Sequence, residues 1–81
     1  MRLDKYLKVS RLIKRRTVAN EACDAARITV NGRSAKASYD VKEGDIIEIT
    51  FGQRTVKLRV LNVRETVAKA DAATMYEIIE S

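Results

Sequence analysis

Seven of the first sixteen residues are Lys or Arg: Arg2, Lys5, Lys8, Arg11, Lys14, Arg15 and Arg16. The chemistry open to such a set is ionic and hydrogen-bonded, and its natural target is a polyanion, because each phosphate met by Lys or Arg releases counterions. Arg is the better grip of the two, since its planar fork donates two parallel hydrogen bonds to a phosphate or to a guanine edge. Arg15 and Arg16 precede a run with helical spacing, so they fall at a helix start, where free N–H groups and the helix dipole already favour an anion. Thr17 and Asn20, on the following turn, add neutral hydrogen bonds. Arg27, Arg33 and Lys36 extend the patch, although their alternation with Ile28 and Val30 equally suits outward-facing strand residues. A plainer reading of Arg16 is an exposed pair with Glu21 or Asp24, of about 0–1 kcal/mol.

Covalent and metal chemistry have little to work with. The chain has no His, a single Cys, no Gly-rich phosphate loop and no carboxylate pair suited to acid/base work. The reading is therefore of a protein that is not an enzyme, with no cofactor, no metal and no catalytic residue. Cys23 lacks an activating base and is expected in the core. Glu43, Asp45 and Glu48 are read as solvated surface, and Tyr6 and Tyr39 as core or edge packing. Without an exposed aromatic platform beside the basic residues, recognition is expected to be of folded, backbone-rich RNA and not of bare single strands.

The net charge is +5 but unevenly spread: residues 1–36 hold ten Lys/Arg against three acids, while residues 37–81 hold six against eight. One half thus carries the positive field. Eighty-one residues fit one small domain with a modest core. No secretion signal, no pair of cysteines and no apolar run near the roughly 20 residues that span a bilayer is present, so the chain reads as cytoplasmic and soluble, away from membranes.

The elements that position these residues follow from periodicity. Leu3 and Leu7, with Tyr6, give a short amphipathic helix whose other side carries Arg2, Lys5 and Lys8, and Asp4 falls in its first turn, facing the dipole. After a bend at Ser10 to Ile13, Val18, Ala19, Ala22, Cys23 and Ala26 give a second helix from about Arg16 to Ala25. Its small side chains let the two helices approach closely, with Leu7, Leu12 and Ile13 in the seam. Arg27 to Val30 alternates as a strand and runs into Asn31-Gly32, the dipeptide best suited to a tight hairpin turn. A loop over Asp40 to Asp45 precedes two β-rich segments, Ile46 to Phe51 and Thr55 to Val63, hinged at Gly52-Gln53. From about Lys69 to Ile79, the spacing of Ala72, Met75, Tyr76 and Ile79 predicts a closing helix. The fold class is α+β: two N-terminal helices packed on a small, mostly antiparallel sheet, with a C-terminal helix.

Three runs together, Arg2-Leu3-Asp4-Lys5-Tyr6-Leu7, Lys14-Arg15-Arg16-Thr17-Val18-Ala19 and Arg27-Ile28-Thr29-Val30-Asn31-Gly32, resemble the S-four (alpha-L) RNA-binding domain. The resemblance covers residues 1 to about 51, leaving a hairpin and the C-terminal helix over 52–81. Ala72 to Ile79 resembles the ending of small stand-alone members, the ribosome-associated quality-control factors of the RqcP family, to which the fifteen-kilodalton heat-shock protein is related. No long apolar patch demands a dimer, so a monomer is expected. The resemblance implies a protein that binds the large ribosomal subunit carrying a stranded peptidyl-tRNA, contacts both its ribosomal RNA and the tRNA, and assists RqcH in adding a C-terminal alanine tail to the stalled chain. RNA-contact roles carry over to Arg2, Arg15 and Arg16, and then to Lys5, Lys8 and Lys14.

Departures from the family pattern are local. Ala26 stands where Gly usually ends the second helix, making a left-handed cap costlier. Ala37 replaces a usual Pro, and Arg15 occupies a position often held by a capping Ser. Other readings are a heat-shock-type factor that recycles free large subunits with stranded peptidyl-tRNA and, in a different class, a basic DNA- or protein-interaction module. The DNA reading lacks a recognition helix with base-reading side chains, because the second helix offers mostly small residues.

Overall fold

A computed structural model describes residues 1–80. Helix α1 spans Leu3–Val9 and buries Leu3, Tyr6 and Leu7 completely. Its first free N–H groups are met by the loop ahead of the large hairpin: Leu3 N–H donates to the Tyr39 carbonyl at 2.8 Å and Asp4 N–H to that of Ala37 at 3.2 Å. Helix α2, Arg16–Asp24, buries the small residues Ala19 and Cys23 against α1, so the close approach read from its composition is realised. Ala26 takes the left-handed conformation itself, with φ at 57°. The surrounding bonds are those of a Schellman cap: Ala26 N–H donates to the Cys23 carbonyl and Arg27 N–H to that of Ala22.

Five antiparallel strands follow: β1 (Ile28–Val30), β2 (Arg33–Ser34), β3 (Ile46–Phe51), β4 (Arg54–Val60) and β5 (Tyr76–Glu80), in the spatial order β2-β1-β3-β4-β5. Asn31 and Gly32 both have positive φ, 53° and 84°, as a two-residue hairpin of this kind demands. The Asn31 amide also ties the hairpin to β3, accepting from Ile46 N–H and donating to Asp45. The core joins the inward residues of α1, α2 and the sheet, from Leu3 to Met75.

The α+β architecture agrees with the sequence, and the differences lie after the hairpin. β4 ends at Val60 instead of Val63, because Leu61 N–H and Asn62 N–H both turn to the Met75 carbonyl. The C-terminal helix is a 3₁₀ turn over Lys69–Met75 that buries Ala72 and Met75, three apart as that tighter helix requires. From Tyr76 on, the chain pairs with β4, and Ile79, expected on a helical face, is exposed on an edge strand. The β-branched pair Ile78-Ile79 gains a ladder there that a helix end could not offer.

Candidate nucleic-acid interface

Asp4 is the organising residue of the basic face. Its side chain is 3% exposed, yet it stands between two guanidinium groups that are half exposed. Arg2 Nε donates to Asp4 Oδ1 at 3.2 Å, and Arg16 Nε donates to Oδ2 at 3.1 Å. Lys5 N–H donates to Oδ1 at 2.8 Å and the Asn20 amide donates to Oδ2 at 3.5 Å. Burial pushes this carboxyl up, but the bonds from Arg2, Arg16, Asn20 and the Lys5 N–H outweigh it and hold it below its ordinary value. Each guanidinium is anchored through Nε, which leaves the two terminal nitrogens, the fork that grips a phosphate, at the outer end. Arg16 therefore pairs with Asp4 across twelve residues, and not with Glu21 or Asp24.

Beside this clamp runs an open groove of about 890 Å³ between α1, the α1–α2 connection and the segment leading into the 3₁₀ turn. Lys5, Lys8, Arg11, Lys14, Arg16 and Lys69 line it, with Glu65 as its one acid. Six cations around one groove concentrate a positive potential there. Arg11 holds φ at 63° and its N–H donates to the Lys8 carbonyl, so the turn that presents it is itself left-handed. Lys5 is ion-paired with Glu65, which holds the Glu65 carboxyl below its ordinary value.

The remaining basic residues fall elsewhere. Arg15 is the N-cap of α2 and Thr17 lies in its first turn; no side chain caps this helix and no acid sits in its first turn, so its N-terminal dipole is unopposed. Arg33 is exposed on the edge strand β2, and Lys36 on the loop whose later residue Asp40 bridges Arg2. Arg27 lines a different, apolar groove near the tip of the β3–β4 hairpin. The structure thus gathers Arg2, Lys5, Lys8, Arg11, Lys14, Arg16 and Asn20 into one face and leaves Arg27, Arg33 and Lys36 outside the groove.

Lys69 and Glu65 join the groove without belonging to a basic run: Glu65 lies in an irregular segment, and the period that starts at Lys69 marks only its apolar residues. Asp45, read as solvated surface, is half buried and accepts bonds from Asn31, the Tyr39 hydroxyl and Lys42 N–H, so it knots the loop to the hairpin. Glu48 is also half buried and takes a long bond from the Thr29 hydroxyl. Tyr6 is a core residue whose hydroxyl donates to the Met75 carbonyl at 2.8 Å. Cys23 is buried as well, and burial, followed by Asp4 and Asp24, pushes its thiol up to about 11. Among the described residues no cluster of His, Cys, Asp or Glu is arranged to hold a metal ion, and no helix is long and apolar enough to cross a membrane.

The family model of the S4 domain matches residues 1–47, which contain every charged residue of the face except Glu65 and Lys69. The chain is 62% identical to the RQC P-site tRNA stabilizing factor of Halalkalibacterium halodurans over 96% of its own length and 89% of that protein's. It is 55% identical to the protein of the same name from Bacillus subtilis, over 99% and 93% of the two chains. Among solved structures it is similar to the trimeric Heat Shock Protein 15 of Vibrio cholerae, with a TM-score of 0.89 and 25% identity over 96% of this chain and 80% of that one.

Proposed function

Because this chain belongs to the S4 domain family, we propose that it is a non-catalytic RNA-binding protein that holds the large ribosomal subunit and peptidyl-tRNA through the groove beside Asp4. The observation that carries the reading is the gathering of six cations around one groove, one of which, Arg16, is fixed together with the neighbouring Arg2 by a buried carboxylate. Preformed cationic forks lose less freedom when they meet phosphates than free side chains would. The name shared by its relatives, a P-site tRNA stabilizing factor, supports tRNA as one partner and the ribosome as the setting. On this reading the protein works as a single-domain monomer in the cytoplasm. It contacts large-subunit ribosomal RNA and assists RqcH in the C-terminal alanine tailing of stalled chains. The likeness to Heat Shock Protein 15 favours a second reading, in which the same face recycles free large subunits that carry stranded peptidyl-tRNA.

Sucrose-gradient sedimentation of a lysate tests the first step. The protein should migrate with large subunits at low salt, leave them at high salt, and fail to join them as Arg16→Ala. With purified RNA, Arg16→Ala should make the fall of log affinity with log salt shallower by roughly one unit, while Glu48→Ala leaves it unchanged. Wild-type protein that stays at the top of the gradient at every salt would remove the ribosomal role. Alanine tailing in extracts depleted of this protein then separates the two readings: loss of tails supports the RqcH-linked role, and intact tails with accumulated peptidyl-tRNA on free large subunits supports recycling.

A further inference from the structure

The α1–α2 connection serves two grooves. Arg11 and Lys14 line the cationic one, while the intervening Leu12 and Ile13 line a second groove of about 370 Å³ between α2 and the β3–β4 hairpin tip. The wall of this second groove is apolar, made also by Val18, Ala22, Ile49 and Phe51. Val18 and Phe51 are 46% and 48% exposed, so a half-open aromatic ring stands at its rim beside Arg27, where the sequence leads to the expectation of no exposed aromatic. The one charged residue that lines it is Arg27, whose carbonyl accepts from Thr50 N–H and so holds the two segments together. Directly across the ladder from Phe51 is Arg54, and cross-strand partners share a face. Neither Arg27 nor Arg54 is paired with an acid among the described residues. Glu21 and Asp24 lie on α2 but line no part of the groove.

An apolar slot with an aromatic ring, flanked by two unopposed guanidinium groups, matches a ligand that has a flat apolar face and an anion next to it. We propose that this groove is a second RNA contact that takes one unpaired nucleotide, with its base stacked on Phe51 and its phosphate between Arg27 and Arg54. The proposal rests on the RNA-binding reading and deepens it. Backbone-rich RNA lies in the cationic groove, and a base flipped from it inserts past the connection into the apolar one. Stacking on an aromatic ring is tolerant of base identity, so the slot selects for an unpaired base and not for a particular sequence. A protein partner's apolar side chain would use the wall but leave both guanidinium groups without a counter-charge, which is why a nucleotide is the better occupant.

Amide NMR titration of the whole chain with adenosine monophosphate, beside ribose phosphate as a baseless control, tests this directly. The nucleotide should move the amides of Val18, Thr50, Phe51 and Gly52, and ribose phosphate should not. Phe51→Leu keeps the groove apolar but removes the ring and should weaken nucleotide binding about tenfold, whereas Phe51→Tyr should retain it. The ring is half exposed, so a melting curve should show both variants folded. Equal effects of the two ligands, or nucleotide binding by Phe51→Leu as strong as by wild type, would overturn the proposal. Shifts confined to Lys8, Arg11 and Lys14 would overturn it too while leaving the cationic groove as an RNA site; failure of that groove is read separately, from the salt dependence of Arg11→Ala. An apolar acidic peptide that moves the Phe51 amide when the nucleotide does not would reassign the groove to a protein partner.

Discussion

Asp4→Asn separates orientation from charge at the basic face. The amide is the same size as the carboxylate, but only one of its two outer atoms accepts and that one is uncharged, so one guanidinium now meets a donor and the other keeps only a weaker, neutral acceptor. Hydrogen bonds to a charged partner are worth about 1.5–3 kcal/mol. Both arginines are half exposed, which places the loss at the lower end, about 1.5 kcal/mol. For a domain of this size that is a fall in Tm of about 6–12 °C. RNA affinity has two opposed terms. Removing a negative charge several ångströms from the phosphates helps by under about 1 kcal/mol in a watery setting. Releasing two ordered arginines costs about 2 kcal/mol. The balance is a loss of about 1 kcal/mol, roughly fivefold, with a salt slope at least as steep as in wild type because no cation is lost. The pH dependence carries a matching sign. The folded carboxyl is held below its ordinary value of 3.8, so its contribution to stability is full above that value and disappears as pH falls through the lower folded one. Wild type should thus lose stability in acid more steeply than Asp4→Asn. Fluorescence anisotropy against a structured RNA at several salt concentrations, with thermal melts over the acid range, makes the measurement. An Asp4→Asn protein that is folded and binds RNA more tightly than wild type would show that charge alone governs the face, and the clamp argument would fail.

Ala26→Gly should stabilise the fold: a left-handed Ala costs about 1–2 kcal/mol, the greater freedom of unfolded Gly takes back about 0.4–1, and the remaining roughly 0.8 kcal/mol should raise Tm by about 3–6 °C in a thermal melt. Tyr6→Phe removes a buried hydroxyl, but the Met75 carbonyl keeps its bonds from Leu61 and Asn62, so the expected loss is only about 1 kcal/mol by denaturant titration. Cys23, with its thiol near 11, should react with thiol reagents at pH 7 only as fast as the chain unfolds. Because the fold keeps a proton that the unfolded chain releases above its ordinary 9.0, stability should also decline with pH beyond that point, and less so in Cys23→Ala.

Local rules carried the sequence a long way. The period of Leu3, Tyr6 and Leu7 encodes the buried side of α1, the run of small residues encodes the close seam of α2, and Asn31-Gly32 encodes a turn that only a few dipeptides can make without strain. The tail was less legible because Ala72, Met75, Tyr76 and Ile79 suit a helix, while Tyr76 to Glu80 is also a β-prone run beside an open sheet edge. Tertiary pairing with β4 decided between them. The position of Asp4 in a first turn was readable, but its bond to Arg16 depends on how two helices cross, and no spacing rule spans that gap. For the same reason Glu65 and Lys69 were invisible as groove residues: a loop some sixty residues from Lys5 meets it only through the fold.

The α1–α2 connection shows why a basic run alone is a poor description of such a face. Arg11 and Lys14 bracket an apolar pair, and the left-handed turn at Arg11, fixed by bonds to the Lys8 and Leu7 carbonyls, sends the two kinds of side chain to different grooves. A continuous helix through this segment would set Arg11 and Lys14 three apart on one face, as on α1, but would also carry the chain away from the start of α2. Breaking it brings the unopposed N-terminus of α2 and the cations of α1 onto the same side. The strain of one left-handed Arg is thus part of the proposed interface, in the sense that backbone strain persists where the surroundings over-determine it. On the proposed reading, the charge of the run supplies attraction to RNA, and the break in the run supplies the shape that makes the attraction selective.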